Sequence, residues 1–158
     1  MNAMELLPTE ENLIACLCDN IVNRNKDIRY FYKILESKNG FRSIAIDGKW
    51  GSGKTFFVRQ TQIVINALNE SSDMDEEKRT RVMSSIPFSK DEKTPNHSVA
   101  IYFDAWKYDN DAVPILSLVY EITKQFSVEF SLSDKSVVEK AGSIAEAITG
   151  RNISGIIK

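Results

Sequence analysis

"IAIDGKWGSGKTFFVRQ", residues 44–60, is the stretch whose reading decides the fold. An apolar run ends in Asp47, a glycine-rich loop follows, and Lys54-Thr55 opens a segment with helical character. Gly48 to Thr55, "GKWGSGKT", fits the phosphate-loop pattern G-x-x-x-x-G-K-[ST]. Glycines let the backbone curl until successive N–H groups converge on one anion, and the following helix turns its positive end toward that anion. Lys54, the candidate catalytic residue, would reach the β- and γ-phosphates as a point charge, and the Thr55 hydroxyl would ligate Mg²⁺. Gly48, Lys49, Trp50, Gly51, Ser52, Gly53, Lys54 and Thr55 are the candidate nucleotide-binding residues. Chance matches arise in under about 1% of chains this long, judged from average composition. The pattern also has its required setting, a predicted strand before and a helix after.

Working outward, Ser43 to Asp47 reads as a buried strand and Lys54 to about Asn69 as a helix. A second apolar run, "VAIYFD" at Val99 to Asp104, reads as another buried strand. Upstream, Thr9 is placed to cap a helix carrying Glu10 and Glu11 in its first turn, with Leu13, Ile14, Leu17, Ile21 and Val22 at helical spacing. A second helix puts Ile28, Phe31, Tyr32 and Leu35 on one face and should stop at Asn39-Gly40. Residues 70–98 read as a polar, solvated insert, with a short helix in the middle as the alternative. Ala112 to Phe126 is helical in spacing, with Pro114 tolerable only in the first turn. A last helix is predicted from Asp134 to about Gly150. The expected architecture is α/β: a partial phosphate-loop sheet of two parallel strands with flanking helices, because parallel strands need crossover helices. Residues 1–40 form an N-terminal helical segment and 41–158 the partial nucleotide-binding domain.

Composition narrows the functions. The chain has 158 residues, 42% hydrophobic and 27% charged, with a formal net charge of −2. That balance suits a soluble domain and offers no global attraction to nucleic acid. The N-terminus lacks the basic start of a secretory signal, and no run reaches the roughly 18 apolar residues that a spanning helix needs. Cys16 and Cys18 stand two apart on a helix and face different ways. With His97 the sole imidazole, they are too few for zinc and read as free thiols of a reducing cytosol. A cytoplasmic location follows.

Hydrolysis asks for an acid on Mg²⁺ beyond Thr55. The sequence offers Asp104 at the tip of the second apolar run, so Thr55 and Asp104 are the candidate metal ligands. Ala105 follows Asp104 where a second acid would be usual. Trp106 and Tyr108 read as packing residues that anchor the following turn. Trp50 reads equally as a nucleotide-flanking side chain or one packed over the loop.

The loop with Trp50, followed by Phe103-Asp104-Ala105-Trp106 and Tyr108, resembles the KAP family of P-loop NTPases from about Leu13 to Phe126. The resemblance implies ATP with Mg²⁺ and a STAND-like, ATP-hydrolysing switch tied to membranes, signalling complexes or phage defence. It also implies that "FDAW" marks the second strand rather than the metal-binding one. The acidic strand, and the transmembrane helices of many members, would then lie beyond Lys158. The expectation is the N-terminal portion of a larger NTPase, partnered by its remainder or another protein and not hydrolysing by itself. Any membrane association would come through segments outside this sequence, at the cytoplasmic face. Two alternatives stand beside it. One is a small phosphotransferase, for which Arg79 and Arg81 are the only lid arginines on offer. The other is a non-enzymatic nucleotide-binding interaction module.

Overall fold

Thr9 starts the first helix as its residue type predicts. Its hydroxyl accepts from the Asn12 N–H at 3.3 Å, and helix α1 runs Glu10–Cys18. The structure, a computed structural model, describes residues 7–37, 43–86, 88, 98–110 and 114–130. The other helices are α2 (Asn25–Glu36), α3 (Lys54–Leu68), α4 (Glu76–Ser85) and α5 (Pro114–Phe130), with a 3₁₀ turn at Ala105–Tyr108. The helix expected over Asp134–Gly150, and the stop at Asn39-Gly40, lie outside the described residues. No helix of the described residues is long and apolar enough to cross a membrane.

The chain divides into two compact units, Met1–Glu70 with Met74–Ala100, and Ser71–Asp73 with Ile101–Lys158. In the first, α3 is the central element and packs against α1, α2 and α4. Its residues Gln60, Thr61 and Ile63 through Leu68 are all buried. Around them close Leu13, Ile14 and Leu17 of α1, Ile28 and Tyr32 of α2, and Val82 and Ile86 at the end of α4. Each fully buried aliphatic side chain contributes about 1.5–3 kcal/mol relative to exposure. Phe31 meets Phe57 with ring centroids 5.4 Å apart, which docks α2 onto the first turns of α3.

Two boundaries differ from the sequence reading. α1 stops at Cys18, and Ile21 and Val22 are 57% and 46% exposed although their spacing continued the apolar stripe. Asn20 (φ 47°) and Asn23 (φ 51°) take left-handed backbone there, which asparagine adopts more readily than most residues. The segment read as a solvated insert supplies α4, capped by Asp75, whose carboxylate accepts from the Lys78 N–H at 3.0 Å. Val82 of α4 is wholly buried.

The larger correction concerns the sheet. Among the described residues there is no strand, so the predicted two-strand α/β layer is not formed. Residues 43–49 take no regular secondary structure and are largely exposed, and Ile44 faces solvent. Residues 98–104 form no strand either, and backbone groups of Ser98, Ala100 and Tyr102 are taken by side-chain amides instead of by a neighbouring strand. In the first unit, Asn66 accepts from the Ala100 N–H at 3.0 Å and returns a bond to its carbonyl at 3.3 Å. Gln62 also donates to the Ala100 carbonyl, and Asn69 to that of Ser98, both at 3.1 Å. In the second unit, Gln125 of α5 accepts from the Tyr102 N–H at 3.0 Å and donates to its carbonyl at 2.6 Å. Backbone groups must be paired, but the partner need not be backbone. A short apolar run predicts extended chain and leaves the partner open.

Candidate nucleotide-phosphate site

The loop from Gly48 to Thr55 lies in the first unit and opens α3. A turn closes it, with the Ser52 N–H donating to the Lys49 carbonyl at 3.1 Å. Gly51 (φ 76°) and Gly53 (φ 81°) are both left-handed, and Gly53 is the N-cap of α3. A side chain there would cost roughly 1–2 kcal/mol. At Gly48 the need is for space, because an added Cβ would lie 2.9 Å from the Ser52 Oγ. The first backbone bond into the helix is donated by Phe57 to the Gly53 carbonyl at 3.0 Å. The N–H groups of Lys54, Thr55 and Phe56 therefore precede the helix's own ladder, at its positive end.

Lys54 folds its ammonium back over this loop. Nζ donates to the carbonyl of Gly48 at 2.6 Å and to that of Lys49 at 3.0 Å. Asp47 turns inward on the backbone, accepting from the Gly48 N–H at 2.7 Å. The Thr55 side chain is exposed in the first turn of α3. Trp50 is 95% exposed, so among the described residues it does not pack over the loop. The whole arrangement fits a polyphosphate: left-handed glycines, a glycine closely approached by the Ser52 hydroxyl, leading helix N–H groups and a clustered ammonium.

Asp104, the other candidate metal ligand, belongs to the second unit. There it caps the 3₁₀ turn, accepting from the Trp106 N–H at 3.2 Å. Tyr108 anchors this turn, its ring stacked on Phe103 with centroids 5.4 Å apart and planes 3° apart. Trp106 does not share that packing and stands largely in solvent.

Sequence reasoning missed the groups that hold this turn to α5. Glu121 is buried and accepts from the Tyr108 hydroxyl, from Lys107 Nζ at 3.0 Å and from Gln125 Nε2 at 3.1 Å. The Tyr108 bond above all holds its carboxyl down to about 2, against the opposing effect of burial. The same bond raises the Tyr108 phenol above its ordinary value. Lys107 is raised too, first through Tyr108 and then through Glu121.

Arg24 was missed as well. It stands at the residue before α2 without capping it, and its Nη1 lies 3.6 Å from the point where a Cβ on Gly53 would sit. Arg79, one of the two lid candidates, is occupied elsewhere: it donates to the carbonyls of Ala67 and Asn69 at 2.6 and 2.9 Å, closing the end of α3.

No curated protein and no solved structure matches the chain. The KAP family P-loop domain matches residues 24–154, from the turn before α2 through the loop, α3, the 3₁₀ turn and α5. Domains of this class bind nucleotide, generally with Mg²⁺. On that match, the chain belongs to the KAP family of P-loop domains.

Proposed function

We propose that this chain binds ATP with Mg²⁺ at the Gly48–Thr55 loop, as the nucleotide-holding part of a KAP-type switch, and does not turn it over at a useful rate by itself. The observation that carries the reading is the loop geometry, with left-handed Gly51 and Gly53 leading into α3 and the Lys54 ammonium held on the carbonyls of Gly48 and Lys49 at the start of the loop. Lys54 would put its charge on the β- and γ-phosphates. The Thr55 hydroxyl would hold Mg²⁺, which when bound neutralises charge on the phosphate oxygens. Gly48, Lys49, Trp50, Ser52 and Gly53 complete the contact set, Trp50 as a flanking side chain.

Slow turnover has its own support. Phosphoryl transfer depends on a second acid at the metal and on a positioned water. Asp104, the acid the sequence offers, already spends one oxygen capping the Trp106 N–H. A phosphotransferase is the weaker reading because Arg79 closes α3 rather than standing free as a lid arginine. A role in signalling or defence, the choice of ATP over other nucleotides and a place at the cytoplasmic side of a membrane rest on family resemblance.

Calorimetric titration with ATP and Mg²⁺ tests the binding. Wild type should bind and Lys54→Ala should not, with helical content unchanged; equal affinity in the two would sink the assignment. Steady-state phosphate release tests the rest. A rate clearly above the Lys54→Ala background and lost in Asp104→Ala would make Asp104 a working metal ligand and overturn the slow-turnover part.

A further inference from the structure

Arg24 sits on a turn whose backbone is fixed from several sides. Asn20 and Asn23 are left-handed, the Asn23 N–H donates to the Asn20 carbonyl at 2.8 Å, and the two side chains bond at 3.3 Å. Next to Arg24, Asn25 is buried and its amide donates to the carbonyls of Leu17 at 2.8 Å and Ser85 at 2.9 Å, tying the turn to the ends of α1 and α4. The Arg24 carbonyl accepts from the Ile28 N–H at 3.0 Å, so its backbone is locked into the start of α2. From this fixed point the side chain reaches Gly53, the N-cap of α3.

What it finds there is electrostatically one-sided. The head of a helix is its positive pole, and a cation beside it is repelled unless an anion joins them. The Lys54 ammonium is gathered on the same loop. The acid of the loop, Asp47, turns one oxygen to the Gly48 N–H and makes no ion pair with Arg24. Among the described residues the Arg24 guanidinium makes no hydrogen bond or ion pair. A half-buried, unneutralised guanidinium at a helix head is unfavourable by itself and favourable once an anion with several oxygens arrives. Guanidinium suits that anion, because its planar fork of donors matches phosphate oxygens pairwise where an ammonium offers only a point charge.

We propose that Arg24 is a phosphate-contacting residue of this site, delivering a guanidinium from the α1–α2 turn to the polyphosphate of the nucleotide held by the Gly48–Thr55 loop. The inference rests on the nucleotide-binding reading above. It extends the site to a helix pair that the loop motif does not include.

The test is calorimetric titration of the full chain with ATP and Mg²⁺, and separately with inorganic tripolyphosphate. The proteins are wild type, Arg24→Ala, Arg24→Lys, Lys26→Ala and Lys54→Ala. Arg24→Ala should weaken both ligands about ten- to a hundredfold, the range for losing a charge-assisted contact. Arg24→Lys should fall between it and wild type. Lys26→Ala, which removes an equal charge from an exposed position on α2, should stay within about twofold of wild type, since a screened surface charge contributes little. Thermal melting without ligand should be unchanged in Arg24→Ala, because the side chain pairs with nothing there among the described residues. Unchanged affinity in Arg24→Ala beside lost binding in Lys54→Ala would overturn the Arg24 proposal and leave the loop reading standing. A melting temperature clearly lowered in Arg24→Ala, with its affinity loss matched by Lys26→Ala, would also overturn it. Failure of wild type to bind either ligand would remove both readings.

Discussion

The ammonium of Lys54 lies 2.6 Å from the carbonyl of Gly48, six residues earlier, so the residue that opens α3 also clasps the loop that leads into it. The loop is therefore shaped before any ligand reaches it, and one side chain does both jobs. Replacing Lys54 by Ala removes the phosphate charge and the clasp together. Thr55→Ala removes an exposed hydroxyl and its neighbouring methyl and leaves the clasp in place. Thr55→Ala should weaken ATP binding in the presence of Mg²⁺ by about tenfold and leave metal-free binding nearly unchanged, as measured by titration with and without EDTA. Equal losses under both conditions would contradict a metal-ligand role.

The glycines of the loop should not be equivalent. Gly53→Ala forces a side chain onto left-handed backbone and should cost about 1–2 kcal/mol in urea unfolding. Gly48→Ala brings its Cβ to 2.9 Å from Ser52 Oγ, the end of a side chain that can rotate away. Its cost should be smaller, and the double variant with Ser52→Ala should recover most of it. A larger penalty at Gly48 than at Gly53 would show that space outweighs backbone strain.

Acid should loosen the Glu121 cluster in a defined window. The Tyr108 hydroxyl, with Lys107 and Gln125, lowers the Glu121 carboxyl from its ordinary value of 4.5 to about 2. The unfolded chain therefore takes up this proton first as pH falls. The stability tied to the charged carboxylate is full above about pH 4.5 and is lost progressively toward pH 2. Glu121→Gln should be less stable at neutral pH, by about 1–3 kcal/mol for a charge-assisted network, and the gap should close as the solution is acidified. Urea midpoints of both proteins at pH 7, 4 and 3 measure it; a gap constant with pH would mean the carboxylate charge is not what matters.

The contribution of α4 to the core can be measured directly. Val82→Ala removes wholly buried methyl groups and should cost about 2 kcal/mol. Thr80→Ala on the same helix is exposed and should stay within about 0.5 kcal/mol of wild type. Equal, negligible costs would return this segment to the solvated surface.

The two thiols should separate by reactivity. Cys16 is buried, and burial, with Asp19 adding to it, pushes its thiol up. Cys18 is only half-buried, with Sγ 3.8 Å from the Arg81 carbonyl. Iodoacetamide at neutral pH should therefore alkylate Cys18 well before Cys16, with mass spectrometry giving the order. Comparable rates in the folded protein would contradict the burial of Cys16.

Much of the loop was legible in the sequence because its residue types answer to backbone geometry: glycine at the left-handed positions and lysine at the head of the helix. Thr9 was legible for the same reason, since a cap is a contact between near neighbours. What escaped depends on distance along the chain. Arg24 reaches Gly53 across 29 positions, and Tyr108 reaches Glu121 across 13, with no periodicity to announce either. α4 was read only as the alternative to a solvated insert because its segment reads as charge and its one wholly buried side chain, Val82, is too little to make a stripe. The strands were over-read because an apolar run such as "VAIYFD" does not name its partners, and those it has, Asn66 and Gln125, are polar residues inside helices and look like surface.

The placement of α3 has a consequence for how the protein responds to its ligand. One end of this helix carries the phosphate loop, and its remaining length is the axis around which the first unit's core is packed. A ligand at such a position cannot be gained or lost by fraying a peripheral flap. Releasing the head of α3 loosens the element on which Leu13, Ile28 and Val82 all converge. Amide hydrogens along the entire helix, not only those of the loop, should therefore exchange more slowly with nucleotide present, and by a common factor set by mass action.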